Sequence, residues 1–230
     1  MSAEAAAGLL GSTDLFKELE PPVLEQLGRN VTVRNYRRGH LIFAQGEPGD
    51  SLFVISEGLV KVFVTSDEGE DMVLVTLRPP DTFGELALID GGLRSASAEA
   101  VEPTTALILS RGTLIELLQG HPTLAQALLS SLGGLVRRLT EQAADLVFLD
   151  LHGRVAKLLL TLAEERGRRE GQEVLLDLQV TQSDLAAMVG GSRQSVNHIL
   201  HAFQRRGYLE IEGRRIALKD LRALAKRAGL

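Results

Sequence analysis

The sequence has no cysteine among its 230 residues, which excludes disulfides, thiolate zinc sites, cysteine-ligated iron–sulfur clusters and cysteine nucleophiles. It has no run of about 18 apolar residues and no basic-then-apolar N-terminus, so neither a membrane span nor secretion is expected and the cytoplasm is the expected location. Histidine is sparse. His40, His121, His152, His198 and His201 are scattered, and a metal-dependent β-sandwich enzyme would need them clustered on adjacent strands. No metal and no enzymatic activity are expected. The remaining composition, 44% apolar and 24% charged, is that of a globular protein able to bury a core.

The net charge of -5 hides an asymmetry. Residues 1–150 hold 11 Lys+Arg against 21 Asp+Glu, a balance of -10, whereas residues 151–230 hold 14 against 9, a balance of +5. A small basic module on an acidic body suits a polyanion contacted at one end only, although a solvated basic surface gives the same count.

Apolar periodicity divides the chain into parts. Residues 2–11 are alanine-rich and are expected to fray, and residues 14–27 read as helical turns broken by Pro21 and Pro22. From Val31 the period is two. LVKVFV (residues 59–64), MVLVTL (72–77), SASAEAV (95–101) and TALIL (105–109) are separated by turn signals at Gly39, EPGD, SEG, DEGE and RPPD, which predicts seven or eight strands of an antiparallel sandwich or small barrel.

Residues 123–149 then show apolar steps alternating between four and three, through Leu128, Leu132, Leu135, Leu139, Gln142, Leu146 and Leu149. This is the stripe of a two-stranded coiled coil about 40 Å long, and an amphipathic core helix fits the same three heptads. Gly133 and Gly134 each cost about 1 kcal/mol within a helix, so tertiary support is required.

Two stretches carry candidate chemistry. In FGELALIDGGLRSAS (residues 83–97), Gly84 allows close backbone approach, ELALI can form one turn with N–H groups facing an anion, and Arg94 with Ser95 adds charge-assisted donors. Glu85 is suited to accept hydrogen bonds from ribose hydroxyls. A β-bulge with an exposed Glu–Arg pair would read the same way. The second stretch, TQSDLAAMVGGSRQSVNHILHAFQRRGYL, starts at Thr181 with a capping-box-like Thr181/Asp184 pair, breaks at Gly190–Gly191 and restarts at Ser192, as a helix-turn-helix does. It follows a brief extended run over residues 175–180. Val196, Ile199, Leu200 and Phe203 fall on one side of its second helix, and Arg193, Gln194, Asn197, His198 and His201 on the other, where arginine and amide forks match base edges in the major groove. The following YLEIEGRRIAL reads as a hairpin wing, whose Arg214 and Arg215 are placed to reach phosphates.

In this order of parts the chain resembles the CRP/FNR family of bacterial transcription regulators. The resemblance is carried by RGHLIFAQGEPGDSLFVISEGLVKV, FGELALIDGGLRSAS, the hinge LVFLDLHGRVAKLLL and VGGSRQSVN. It implies an α+β chain: a jelly-roll-like β-roll of the cyclic-nucleotide-binding kind at 1–122, a dimerisation helix at 123–150 and a winged helix-turn-helix at 151–230. It also implies that Glu85 holds the ribose 2′-hydroxyl of a cyclic nucleotide such as cyclic AMP, that Arg94 and Ser95 hold its phosphate, and that Gly84 and Leu86 give backbone contacts. An ungapped match puts Leu135, Leu139 and Thr140 where cyclic-AMP-responsive members place their base-contacting residues, leaving Thr140 as the hydrogen-bonding one. The expected DNA-facing set is Thr181, Gln182, Ser192, Arg193, Gln194, Ser195, Asn197, His198, His201 and Arg214. The resemblance implies a homodimer on an imperfectly palindromic duplex, contacting RNA polymerase if it activates. A regulator active without any effector is the alternative.

Overall fold

The computed structural model describes residues 1–171, 173–177, 181–213 and 215–230. Arg214, and residues 178–180 of the extended run, lie outside the described residues. The chain divides into two units, Met1–Thr65 with Leu74–Arg138, and Ser66–Val73 with Leu139–Leu230.

The N-terminal unit opens with α1 (Ala3–Ser12) and α2 (Pro21–Asn30), followed by strands β1 (Thr32–Tyr36), β2 (Leu41–Phe43), β3 (Ser51–Glu57), β4 (Val60–Thr65), β5 (Asp71–Leu77) and β6 (Thr82–Phe83). Helix α3 (Glu85–Asp90), strands β7 (Ser97–Ala100) and β8 (Thr104–Ser110) and helix α4 (Arg111–Gly120) lead into the long helix α5 (Pro122–Phe148). The strands form two four-stranded sheets, in the orders β1-β8-β3-β6 and β2-β7-β4-β5. The layering follows from alternation along β3 and β8. Phe53, Ile55 and Ala106 face a cluster with Val60, Phe83, Ala98 and Ala100, which lies between the sheets. Their neighbours Leu52, Val54, Leu107 and Leu109 face the opposite way, onto a second cluster with Leu10, Leu27, Leu114 and Leu124 of the helices and Phe16 of the turn between α1 and α2. A strand buried on both faces reads as a continuous apolar run, and LFVI of β3 is such a run.

Two expectations are corrected by the fold. The alanine-rich N-terminus is a helix rather than a frayed end: Ser2 caps it by accepting from the Ala5 N–H, and Ala6 and Leu10 are buried. Its small side chains pack closely on α2, which Pro21 opens from N1, a position where proline lacks no needed donor. The seam of α5 is also displaced. Leu124 and Leu128 are buried in the N-terminal core, so the stripe left outside it runs instead through the half-buried Leu132 and the exposed Leu129, Val136, Leu139, Ala143 and Leu146. Leu129 is 69% exposed, Val136 61%, Leu139 38% and Leu146 43%. These positions keep the alternating three–four step of a coiled-coil seam.

Gly134 is not required by packing, since a Cβ there meets nothing within 4 Å. Gly134→Ala is therefore expected to stabilise α5 by about 1 kcal/mol. Denaturant unfolding at fixed protein concentration checks this.

In the C-terminal unit, α6 (Leu151–Arg166) packs on α7 (Gln182–Val189), α8 (Arg193–Arg205) and α9 (Leu221–Arg227). The sheet has the order β11-β12-β10-β9, with β9 (Arg168–Glu170), β10 (Glu173–Asp177), β11 (Leu209–Glu212) and β12 (Arg215–Leu218). The Thr181–Asp184 capping box starts α7, Gly190 in the left-handed region ends it, and Ser192 caps α8. Among the described residues no helix is long and apolar enough to cross a membrane.

Candidate functional site

The first site is built around Arg94, which is 6% exposed although it is a cation. Its guanidinium donates from Nη1 to the Gly84 carbonyl at 2.8 Å and from Nη2 to the Ser51 carbonyl at 2.9 Å. It lies 4.2 Å from the ring centre of Phe43 and 5.6 Å from that of Phe53, so the aromatic pair replaces part of its lost hydration. The backbone fixes it further: the Arg94 N–H donates to the Glu47 carbonyl, and its own carbonyl accepts from Gly46. Burial lowers the guanidinium pKa, while Asp50, Glu47 and Glu85 act the other way. Of its five donors, Nε–H is buried with no partner among the described residues. A buried cation with an unanswered donor suits an anionic ligand.

Two glycines hold this cradle open. Gly84 caps α3 at φ +86°, and a Cβ there would lie 2.8 Å from Arg94 Nη1. A Cβ on Gly49, in the EPGD turn, would lie 2.4 Å from Ala87 and 3.0 Å from Arg94 Nε. At the far end of α3, Arg111 donates from Nε to the Leu88 carbonyl at 2.9 Å. Leu86 is half-buried on α3, and Ser95 is exposed beside Arg94.

Glu85 opens α3 with a half-buried side chain. Burial pushes its carboxyl above the usual carboxylate range, against its own backbone hydrogen bond and the charges of Arg138 and Arg94. A carboxyl with a raised pKa in the folded state lowers stability while ionised, and that penalty shrinks as pH falls through the raised value and is gone below the ordinary carboxylate value. Glu85→Gln is thus expected to raise the melting temperature at neutral pH, with the difference vanishing in acid. Thermal melts across pH measure it. A side chain kept at a cost to the fold is a mark of function.

The structure brings Gly84, Glu85, Leu86, Arg94 and Ser95 together on one segment, α3 and the turn after it. Thr140 is exposed on the part of α5 that belongs to the C-terminal unit. Arg138, absent from the expected set, is the α5 residue whose charge acts on Glu85. Phe43, Gly49 and Ser51 were also outside that set. The EPGD turn was visible, but nothing in it announces a partner near residue 94.

The second site is the outward face of α8, where Arg193, Gln194, Ser195, His198 and His201 are exposed. Gln194, His198, His201 and Arg205 recur at steps of four and three and line the centre of that face, so Arg205 joins the expected residues. Asn197 sits differently from the expectation: it is half-buried, and its buried Oδ1 has no partner among the described residues. At 100° per residue it falls toward Leu200, on the margin of the core face. The Ser192 hydroxyl accepts the Ser195 N–H at 3.1 Å. The Thr181 hydroxyl donates to Asp184, and Gln182 is half-buried.

Two family profiles match, a cyclic nucleotide-binding domain over residues 33–121 and a Crp-like helix-turn-helix domain over residues 153–227. A CRP-like cAMP-activated global transcriptional regulator of Mycobacterium tuberculosis is 36% identical over 220 residues, covering 96% of this chain and 98% of that protein. The cyclic AMP receptor protein of Thermus thermophilus is 34% identical, covering 86% and 88%. Among solved structures, a CRP/FNR-family transcriptional regulator from Thermus thermophilus aligns with a TM-score of 0.67 at 31% identity, covering 86% of this chain and 99% of its own.

Proposed function

Because the chain belongs to the CRP/FNR family of transcription regulators, we propose that it acts as a homodimer whose binding to DNA is controlled by a cyclic nucleotide, with cyclic AMP the best fit. It works by binding rather than catalysis, in the cytoplasm, and would contact RNA polymerase where it activates. The carrying observation is the buried Arg94 with its unpartnered Nε–H beside the desolvated Glu85. Arg94 and Ser95 would take the cyclic phosphate, Glu85 the ribose hydroxyl, Gly84 and Leu86 backbone contacts and Thr140 the base. Calorimetric titration with cyclic AMP, cyclic GMP and cyclic dinucleotides tests this reading. Saturable cyclic AMP binding supports it, and no heat with any of them removes it.

A second reading, DNA binding without an effector, is favoured by one observation. Both terminal nitrogens of Arg94 already have carbonyl partners within the chain, so the cradle can be held without a ligand.

On DNA, two copies of α8 related by two-fold symmetry would read half-sites about one helical turn apart, giving an imperfect palindrome. Arg193, Gln194, His198 and His201 would approach bases; Thr181, Gln182, Ser192, Ser195 and Arg214 would hold the backbone, and Asn197 would have to turn outward to take part. A glutamine fork pairs with adenine where a glutamate would accept from cytosine. Gln194→Glu is therefore expected to change the preferred base pair at one position per half-site, a difference of about 1 to 3 kcal/mol read by selection from random DNA.

A further inference from the structure

Two histidines stand on the outward face of α8, and the fixed charge of that helix is of one sign. His198 and His201 are exposed, with Gln194 four residues before His198 and Arg205 four after His201, so these side chains form one row along the helix. From Arg193 to Arg205 the helix carries no carboxylate, and its fixed charges are the exposed Arg193 and Arg205. Its opposite side, through Val196, Ile199, Leu200 and Phe203, is buried, and α8 packs on α6, α7 and β11.

The charged and titratable groups of those three elements have other contacts. His152 of α6 meets the Phe203 ring edge-on at 6.2 Å, on the buried side. Arg154 donates to the carbonyls of Val189 and Gly190 at 2.8 and 3.4 Å. Lys157 pairs with Asp145 and Glu165 with Arg166, while Glu164 is exposed in the last turn of α6. Asp184 of α7 closes the capping box with Thr181. Glu210 of β11 pairs with Lys219, and Glu212 stands opposite Arg215 of β12. None of these contacts is made to His198 or His201.

Histidine is the side chain whose charge changes between pH 5 and 8, and in its charged form both ring nitrogens donate. A charge on either imidazole is opposed by Arg193 and Arg205 in the free protein, and favoured in a complex by phosphates and by the N7 and O6 acceptors of guanine. We propose that His198 and His201 make DNA recognition proton-linked, the operator being held more tightly as pH falls because both imidazoles are charged in the complex. The gain is complete where an imidazole is charged both on and off DNA, and it is lost as pH rises to where it is neutral in both states. Lysine or arginine would keep its charge throughout and give no such dependence. The inference rests on the reading of α8 as the helix that reads DNA, and adds pH as an input to that site.

The test uses the full-length protein and an operator selected from random DNA, with affinity measured at pH 6, 7 and 8 at fixed ionic strength, with and without saturating cyclic AMP. Calorimetry in buffers of different ionisation heat counts the protons taken up. The wild type is expected to bind about tenfold or more tighter at pH 6 than at pH 8, with proton uptake. A double variant, His198→Gln with His201→Gln, should lose that dependence and take up no protons. His198→Arg with His201→Arg should bind equally well across the range. Wild-type affinity constant within about threefold, or a dependence that survives in the glutamine variant, overturns the inference and leaves the regulator reading standing. If circular dichroism shows either variant unfolded, proton uptake by the wild type decides, and none overturns the inference. Failure to bind any DNA sequence at any of these pH values defeats the regulator reading itself, and the inference falls with it.

Discussion

A Val136→Glu variant is expected to sediment as a single 24.9 kDa chain at micromolar concentration, and the wild type as a dimer. Val136 is 61% exposed at the middle of the apolar stripe of α5. In a parallel helix pair a residue at this position meets its own copy, so the substitution places two carboxylates in contact across the seam. Each buried valine or leucine contributes about 1.5 to 3 kcal/mol to such an interface, and an unpaired buried charge removes more than that. The substitution leaves each subunit's own core untouched, so the circular dichroism of the fold should be kept. Leu135→Glu serves as the comparison. It changes a residue of the seam expected from sequence but not of the exposed stripe, and it should weaken the dimer less. A Val136→Glu protein that remains dimeric would place the interface elsewhere.

Arg94→Ala is expected to lower cyclic nucleotide affinity by about two orders of magnitude or more, since it would remove the proposed charge-assisted partner of the phosphate from a site shielded from water. It should also cost the N-terminal unit about 2 kcal/mol or more, because the carbonyls of Gly84 and Ser51 lose their donor. The two effects separate by titration and melting. Arg94→Lys restores charge without the fork, so it should recover part of the stability and little of the binding. Undiminished cyclic AMP affinity in Arg94→Ala would remove Arg94 from the site.

Much of this was legible in the sequence wherever local pattern and burial agree. The alternating runs placed the two sheets, the Thr181/Asp184 and Ser192 caps placed the helix-turn-helix, and GEL with RS placed the cradle on one segment. What escaped depends on contacts distant in sequence. Leu128 fits the heptad as well as Leu129 does, and only its burial beside Phe16 and Leu124 takes it out of the seam. The alanines of α1 favour a helix by propensity but make only a weak apolar stripe, yet Ala6 and Ala7 are buried and α1 packs on α2. Ser51 meets Arg94 from 43 residues away and Phe43 from further still, and Arg154 reaches Val189 from 35 residues away. Arg138 escaped because the resemblance points to Leu135, Leu139 and Thr140 on α5 and says nothing of a cation whose charge acts on Glu85.

A ligand seated in the Arg94 cradle should change how tightly α8 holds DNA. That coupling is read directly as affinity for an operator selected from random DNA, with and without saturating cyclic AMP, for the wild type and Arg94→Ala. A ligand that favours the DNA-competent dimer tenfold supplies about 1.4 kcal/mol of shift. The wild type is expected to bind its operator at least about tenfold tighter with cyclic AMP, and Arg94→Ala to show no response. Tight operator binding that no cyclic nucleotide alters, and that Arg94→Ala leaves intact, would contradict control through the cradle.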